Sequence, residues 1–406
     1  MLDSTTMLPR LAIAWLAIVP LMAACGQRPL IEVGTQQITV QPNADATLGE
    51  SAIPYSVSTP AHVTITLVQP DGQRLQLRDN DRAADSYELP FGGVIDVPNS
   101  RDKRVLANGD YKVVFDARTP GGQTAEDVVD AVVKDADPVP LNITDIALSL
   151  PTFSPNGQGV REVNGQQVNE DQTIVNYSLS KAATVSIDAI DKDGNDTPIQ
   201  APLDTKSGGL QSFTWDGKGP NGVPLQNGTY TVQITAADTS GNVTVRTGQV
   251  TITDSGTPQV QIMSAKFFPT ALGLGGVVNV EVTVKNIGDV PIKTQGPPPG
   301  TAYTTQMTYL DPSFNRPGDQ SPPYVEIPGR WRVAVRWTSS QAQYPVRWGF
   351  FQDENRELQP GEQVTVGGPI KILPPQDHDL DFWATIQMGA VGFTGDYGQT
   401  HVHLGF

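Results

Sequence analysis

The chain has 406 residues, including 39 glycines, 34 prolines and a single cysteine. Its formal net charge is −16 at pH 7 and none of its candidate domains is basic, which argues against a nucleic-acid partner because phosphates require clustered lysine and arginine. No intramolecular disulfide can form from one cysteine, so each domain must be stabilised by its own hydrophobic core.

The first 24 residues predict a secretory signal peptide. Arg10 precedes an apolar run over 11–22 that is too short to span a bilayer, and small residues follow it. Residues 21–25, Leu-Met-Ala-Ala-Cys, resemble a bacterial lipobox. The resemblance implies that Cys25 is lipidated, that the protein is exported and held on a bacterial membrane facing the periplasm or the exterior, and that residues 25–50 form a tether. The alternative is an ordinary signal peptide cut near Ala24. One strand is predicted at 38–40 within the tether.

Two proline-containing links divide the remaining chain into three candidate domains, at 51–137, 141–254 and 259–406. Short alternating apolar runs are separated by turn signals about every 8–12 residues, and helical periodicity is nearly absent. Asn-Gly at 227–228, directly before an alternating run, is a strong hairpin signal. We therefore predict an all-β protein of three tandem immunoglobulin-like antiparallel β-sandwiches.

The first two candidate domains are predicted to be internal copies. Residues 53–61 (IPYSVSTPA) parallel residues 175–183 (VNYSLSKAA), 122 positions later. Residues 105–111 (VLANGDY) parallel residues 224–230 (PLQNGTY), 119 positions later. Turn and strand signals that recur at a nearly constant offset are typical of a tandem repeat.

The second domain carries a group of motifs with a known counterpart. They are FSPNGQG at 153–159, YSLS at 177–180, WDGK at 215–218, NGTY at 227–230 and ADTSGN at 237–242. Together they resemble the Ig-like module of the flagellar hook-capping family, which implies an immunoglobulin-like fold without implying flagella. Gln158 stands where that module usually has aspartate. In the first domain, Ile95-Asp96-Val97 is taken as the counterpart of the Trp-Asp-Gly motif.

The third domain has a different pattern. VNVEVTVKNIGD at 278–289 and LQPGEQVTV at 358–366 are similar to bacterial cell-adhesion-related Ig-like modules. A proline-rich, aromatic insert occupies 296–330. A long connection within a compact β-domain is either functional or disordered.

Four of the six tryptophans lie in the third domain, and arginines lie near them. Along 330–337, Trp331 and Trp337 alternate with arginines. In one interpretation, the tryptophans belong to the core and the arginines form a solvated face. In the other, this surface recognises a protein or an acidic glycan, since arginine and aromatic residues are enriched at binding hot spots. The candidate contact residues are Trp331, Trp337, Trp348, Arg332, Arg336, Arg347, Tyr303, Tyr309 and Tyr324.

Signals for metals and catalysis are weak. His401 and His403 point to one side of the last strand, with His378 upstream, but a zinc site needs a third ligand and none is predicted. The Asp191–Asp196 turn is interpreted as a hairpin, with calcium binding as the alternative. No serine-hydrolase elbow, phosphate loop or zinc-protease motif occurs. We predict no cofactor and a non-catalytic surface protein whose first two domains are spacers and whose third binds a surface protein or complex subunit, with glycan binding as the alternative.

Overall fold

The computed structural model describes residues 28–42, 51–163, 166–201, 205–314, 326–340, 342–376, 379–389 and 391–405. Apart from a 3-10 turn at Pro312–Phe314, the regular structure within these ranges is β. The predicted all-β, immunoglobulin-like architecture is confirmed. Cys25 and the predicted signal peptide lie outside the described residues. Across the described ranges, no helix has the length and apolar character needed to cross a membrane.

Of the described residues, 28–41, 51–93 and 107–135 form the first compact unit. The strands of this unit are β1 (Ile31–Val33), β2 (Gln37–Val40), β3 (Ser51–Val57), β4 (Ala61–Val68), β5 (Arg74–Arg82), β6 (Asp85–Phe91), β9 (Gly109–Arg118) and β10 (Thr124–Val133). Two sheets form its sandwich, with strand orders β1-β3-β6 and β2-β10-β9-β4-β5. The predicted tether strand is present as β2, which pairs in parallel with β10.

The second sandwich belongs to the other unit, which comprises the described residues among 94–106 and 136–405. Along β16 every second side chain is buried, so one face of the strand packs into the core and the other faces outward. The strands of this sandwich are β11 (Ile143–Leu148), β12 (Thr152–Phe153), β13 (Val160–Val163), β14 (Gln166–Asn169), β15 (Thr173–Leu179), β16 (Ala183–Ile190), β17 (Asp196–Gln200), β18 (Thr205–Lys206), β19 (Gly209–Trp215), β20 (Gly228–Ala237) and β21 (Val243–Ile252).

The topology supports the predicted duplication. In the second sandwich, β11-β15-β19 form one sheet and β12-β21-β20-β16-β17 follow one another in the second sheet, repeating the arrangement of the first sandwich strand for strand. In both copies a short strand pairs in parallel with the last long one. The two copies also share a tyrosine: Tyr111 donates to Ala107 O at 2.8 Å and Tyr230 donates to Gln226 O at 2.9 Å. Such a hydroxyl bond to upstream backbone is a recurrent feature of immunoglobulin-like folds.

The structure corrects the expected counterpart of Trp215 in the first sandwich. Trp215 pairs with Thr173 at the start of β15, and the residue that pairs with Ser51 at the start of β3 is Phe91. The first copy therefore has a phenylalanine at the position of the tryptophan. The sequence comparison that matched Ile95 with Trp215 was wrong, because residues 94–96 do not belong to the strand that ends at Phe91.

Residues 94–96 belong to a hairpin of β7 (Val94–Asp96) and β8 (Lys103–Val105), which extends the large sheet of the second sandwich beyond β21. Lys103 pairs with Val243. The Asp102 carboxylate accepts hydrogen bonds from the Val245 amide and the Arg246 guanidinium, both at 2.9 Å. A segment that lies within the first candidate domain in sequence thus folds as part of the second unit.

The third sandwich also has two sheets, ordered β22-β24-β29-β25 and β23-β32-β30-β26-β27, and its apolar core lies between them. As in the other two sandwiches, a short strand, β23, pairs in parallel with the last strand. The strands are β22 (Val260–Phe268), β23 (Ala271–Gly273), β24 (Val277–Asn286), β25 (Tyr303–Thr304), β26 (Trp331–Trp337), β27 (Val346–Trp348), β28 (Gln363–Val366), β29 (Pro369–Lys371), β30 (Leu380–Met388), β31 (Gly392–Phe393) and β32 (Tyr397–Gly405).

A buried glutamine, Gln158, forms hydrogen bonds between the second and third sandwiches. The Gln158 amide donates to Pro291 O and accepts from Lys293 N, both at 2.9 Å, and its side chain is fully buried. Beside it, Gly329 has a φ of +78°, and a Cβ there would lie 2.3 Å from Gly157 O. The backbones therefore approach too closely for any side chain at 329.

Candidate functional site

The tryptophans of the third domain lie mostly in its core. Trp331, Trp337 and Trp348 are buried, and Trp383 is half-buried on the outer face of β30. The inward side chains of β26 and β30 alternate with outward ones, as the period of a strand requires. The interpretation that assigns tryptophans to the core is therefore the one the structure supports, and these three residues are not available as surface contacts.

Two of the arginines are not solvated, which corrects the second half of the same interpretation. Arg332 is fully buried and Arg347 nearly so. Gln295, directly before the insert, and Tyr309 within it cover them: Gln295 Oε1 accepts from Arg332 Nη2 at 3.1 Å and the Tyr309 ring lies 3.7 Å from Arg347 Cζ. The alternation along β26 correctly predicted which face of the sheet each residue is on. It could not show that other residues cover the outer face.

Six side chains on this outer face form an arginine–aromatic ladder. Arg336 Cζ lies 4.2 Å from the Trp383 ring centroid and 5.9 Å from that of Tyr344. The Tyr344 and Phe393 rings stack at 4.5 Å. Arg347 follows, 5.5 Å from Phe393. The ladder, in order, consists of Trp383, Arg336, Tyr344, Phe393, Arg347 and Tyr309.

Internal partners already occupy the guanidinium groups of the ladder. Asp396 accepts two hydrogen bonds from Arg336, and these raise the pKa of Arg336. Tyr344 donates to the same carboxylate at 2.5 Å. Burial lowers the pKa of Arg347, which lies between two rings. Each cation–π contact contributes about 0.5–2 kcal/mol, so the ladder stabilises the outer face of the sheet.

The three candidate tyrosines have separate positions. Tyr303 is buried, donates to Arg347 O at 2.7 Å and packs edge-on against Trp348. Tyr309 is half-buried on Arg347. Tyr324 lies outside the described residues. Tyr303 and Tyr309 therefore contribute to the packing of the insert and do not form a shared contact surface.

Arg332 is an unusual core residue. Its Nε and Nη1 atoms are buried without a hydrogen-bond partner, and burial lowers its pKa to about 10. Replacing a buried ion pair by apolar side chains of similar volume is often neutral or stabilising by about 1–4 kcal/mol, because the desolvation of the charges is removed. By the same reasoning we expect Arg332→Met to leave the free energy of unfolding of the third sandwich unchanged or raise it within that range, as measured by hydrogen-exchange protection of β26. Arg336→Met, which removes the partner of Asp396, is the control and is expected to lower it. A large loss in Arg332→Met would contradict the assignment of unsatisfied donors.

The two C-terminal histidines lie beside carboxylates that sequence reasoning missed. His401 Nδ1 lies 3.0 Å from Asp381 Oδ1, and His401 Nε2 lies 3.2 Å from Asp379 Oδ2. His403 Nδ1 lies 3.1 Å from the same Asp379 oxygen. His378 lies outside the described residues. Only the pairing of β30 with β32 brings these side chains together, although the Asp-x-Asp and His-x-His spacings were signals of a shared face.

A similar arrangement occurs on the first sandwich, where His62 faces Asp81 at 2.8 Å and Asp79 at 2.5 Å. These two hydrogen bonds, that of Asp81 first, raise the pKa of His62 above 6.5. The stabilisation is therefore complete below the unfolded pKa and is lost as the pH rises through the folded pKa. We expect an NMR titration of His62 to show the raised pKa and Asp81→Asn to lower it. An unchanged midpoint in Asp81→Asn would show that this bond does not act.

The Asp191–Asp196 turn connects β16 to β17. The Asp191 carboxylate accepts hydrogen bonds from the amides of Asp193 and Asn195, both at 2.8 Å. Its bonds to Asn195, first that of the Asn195 side chain, lower the pKa of Asp191. These contacts account for the turn as a hairpin, as the sequence predicted.

Residues 163–240 match the FlgD Ig-like domain. The match lies wholly within the second sandwich, and it confirms the resemblance of that module to the flagellar hook-capping Ig-like domain. No curated protein sequence matches the chain.

Solved structures with tandem repeats are similar at a low level. One is a tetra-tandem repeat from the extending region of a large adhesion protein, at 17% identity over 92% of this chain and 71% of that one, with a TM-score of 0.20. Another is the Ca²⁺-stabilized adhesin of an Antarctic bacterium that binds ice, at 11% identity over 93% and 74%, with a TM-score of 0.24. A bacterial ice-binding adhesin retained on the host cell surface gives 12% identity over 93% and 98%, with a TM-score of 0.21. At such scores these likenesses do not determine a function for this chain.

Proposed function

We propose that this protein is a non-catalytic, lipid-anchored protein of the bacterial cell surface. In this proposal the first two sandwiches are spacers, and the third binds another surface protein or a complex subunit. The lipobox-like residues before Cys25 support the anchor, and the duplicated sandwiches support the spacer role, since a repeated scaffold adds length without adding a site.

The main support for the partner-binding role is the set of apolar and aromatic side chains around Arg347, at the end of the arginine–aromatic ladder that meets the insert. Tyr309 and Phe393 both pack on Arg347, and each has an exposed apolar residue within two positions in sequence. Leu310 is 48% exposed and Val391 is 70% exposed. Apolar and aromatic side chains around a fixed arginine are typical of protein-binding hot spots.

Glycan binding is less well supported by the same surface. A sugar platform requires exposed ring faces, but Trp331, Trp337 and Trp348 are buried and one face of Trp383 is covered by Arg336. We therefore favour a protein partner over a polysaccharide.

Cross-linking on intact cells tests the partner-binding role. We expect the wild-type chain to recover one reproducible protein, and the double variant Leu310→Asp/Val391→Asp to recover much less of it. The matched control is Leu210→Asp, which places the same charge at an exposed leucine of the second sandwich, 72% exposed. Equal recovery by all three chains would place the contact elsewhere, and recovery of polysaccharide alone would favour the glycan alternative.

Membrane fractionation tests the anchor. Cys25→Ala is expected to abolish incorporation of labelled fatty acid and to move the protein out of the membrane fraction, because two acyl chains give stable anchoring and none remain. If the wild-type chain incorporates no label, or if partitioning is the same with and without the cysteine, Cys25 is not the anchor.

A further inference from the structure

The C-terminal edge of the third sandwich carries a histidine–aspartate cluster: His401 and His403 on β32, with Asp379 and Asp381 at the start of β30. Asp381 and His401 are direct cross-strand partners in the antiparallel pair. Because residues two apart on a strand share a face, all four side chains lie on the same side of the sheet. The histidine side chains are more than half exposed, so the cluster is open to solvent.

Three atoms of the cluster have the chemistry of metal ligands. Asp379 Oδ2 lies 3.2 Å from His401 Nε2 and 3.1 Å from His403 Nδ1. Two donors bound to one tetrahedral zinc ion at about 2.0–2.1 Å are about 3.3 Å apart. The separation of each histidine nitrogen from the carboxylate oxygen therefore matches that of two neighbouring zinc ligands, and rotation of the side chains has to bring the two imidazoles onto the same ion. Imidazole nitrogen and carboxylate oxygen are both ligands that zinc accepts.

The remaining hydrogen bonds orient these ligands. Asp381 Oδ1 lies 3.0 Å from His401 Nδ1, so a proton on Nδ1 would leave Nε2 free to bind a metal. Leu404 N donates to Asp379 Oδ1 at 2.9 Å and fixes the carboxylate. A carboxylate that holds the far nitrogen of a ligating histidine is a common feature of zinc sites.

The His62 cluster on the first sandwich has similar histidine–carboxylate contacts but only one histidine. Asp79 and Asp81 face the two nitrogens of His62, at 2.5 and 2.8 Å. With both nitrogens held by carboxylates and no neighbouring imidazole, that cluster is an ion-pair network. His403 is the feature that distinguishes the C-terminal cluster.

We propose that the histidine–aspartate cluster binds a divalent transition-metal ion of the zinc class through His401, His403 and Asp379, with water completing the coordination. As the side chains are placed, no group of three histidine, cysteine, aspartate or glutamate residues within the described ranges could hold a metal ion. Metal binding therefore requires the side chains of the cluster to rotate, so that metal bonds replace the imidazole–carboxylate hydrogen bonds. The proposal is independent of the partner-binding role.

Calorimetric titration of the full chain with Zn²⁺ tests the site, with Cys25→Ala in every sample so that the thiol cannot bind the metal. We expect one zinc ion per chain, lost in His401→Ala and in His403→Ala. Asp381→Asn should weaken binding about 10- to 100-fold, as expected for a carboxylate that orients a ligating histidine. His62→Ala is the matched control and should bind like the parent.

NMR of the imidazole protons gives a second readout, because the chain has only four histidines. Zinc should shift the resonances of His401 and His403 and leave those of His62 in place. No binding by the parent chain, or equal binding by His403→Ala, would overturn the proposal. Circular dichroism of each variant separates loss of zinc from loss of fold.

Discussion

Replacing Trp215 with alanine is expected to lower the free energy of unfolding of the second sandwich by about 3–5 kcal/mol, the usual range for a buried tryptophan. Trp215 is fully buried, meets Phe153 edge-on at 5.4 Å and lies 6.4 Å from Tyr230. Its Nε1 donates to Lys218 O at 3.0 Å, which holds the turn after β19. The alanine variant buries less apolar surface, leaves a cavity and leaves the Lys218 carbonyl without its hydrogen bond to the indole.

Hydrogen exchange followed by mass spectrometry is the appropriate measurement, because a multidomain chain does not unfold in one two-state step. Peptides from β19 and β20 should lose protection, while peptides from β26 in the third sandwich serve as the internal control. Trp215→Phe tests the same position with the residue that the first sandwich carries there as Phe91, and it should lose less. Protection unchanged in Trp215→Ala would mean that this ring is not central to the core.

Replacing Gln158 with alanine is expected to release the third sandwich from the second. The variant leaves Pro291 O and Lys293 N without their partner in a buried junction. Each buried group left unpaired costs about 1–3 kcal/mol, so the expected loss is about 2–6 kcal/mol, with the lower end applying if water enters. The sandwiches themselves should stay folded, since neither apolar core includes this side chain.

Hydrogen exchange followed by mass spectrometry also measures the effect of the Gln158 substitution, in this case at the junction between the two sandwiches. The Lys293 amide should exchange faster in Gln158→Ala while β20 and β26 remain protected. Gln158→Met retains most of the side-chain volume without the two hydrogen bonds, which separates packing from bonding. Gln211→Ala is the control, because its amide bonds only to Ser207 O within the second sandwich. Normal protection at Lys293 in both Gln158 variants would show that the junction does not depend on these bonds.

The stretch around Trp215 shows how far local pattern extends. Asn-Gly turns and period-2 alternation were sufficient to predict strands, hairpins and the duplication, because these features depend on neighbours in sequence. The counterpart of Trp215 was misassigned, since strand register between β3 and β6 is a long-range property and only the pairing of Ser51 with Phe91 fixes it.

The candidate contact face shows the opposite case. Alternation correctly separated Trp331 from Arg332, but it predicted a solvated arginine. The residues that cover this face lie in and next to the insert that precedes β26, but their contacts join positions tens of residues apart: Gln295 meets Arg332 and Tyr309 meets Arg347. The spacing of residues within β26 therefore cannot predict these contacts.

By itself, the sequence determined the β class, the three sandwiches, the repeat and the resemblance of the second module to the flagellar hook-capping Ig-like module. Turn residues and strand alternation can be recognised from residues that are close together in the sequence. Only the tertiary structure decided which sheet the hairpin at 94–105 joins, that Arg332 is buried, that Gln158 joins two sandwiches and that Asp379 meets two histidines. These contacts link residues tens of positions apart, and their partners are selected by register and by the layer above each sheet, neither of which a local pattern specifies.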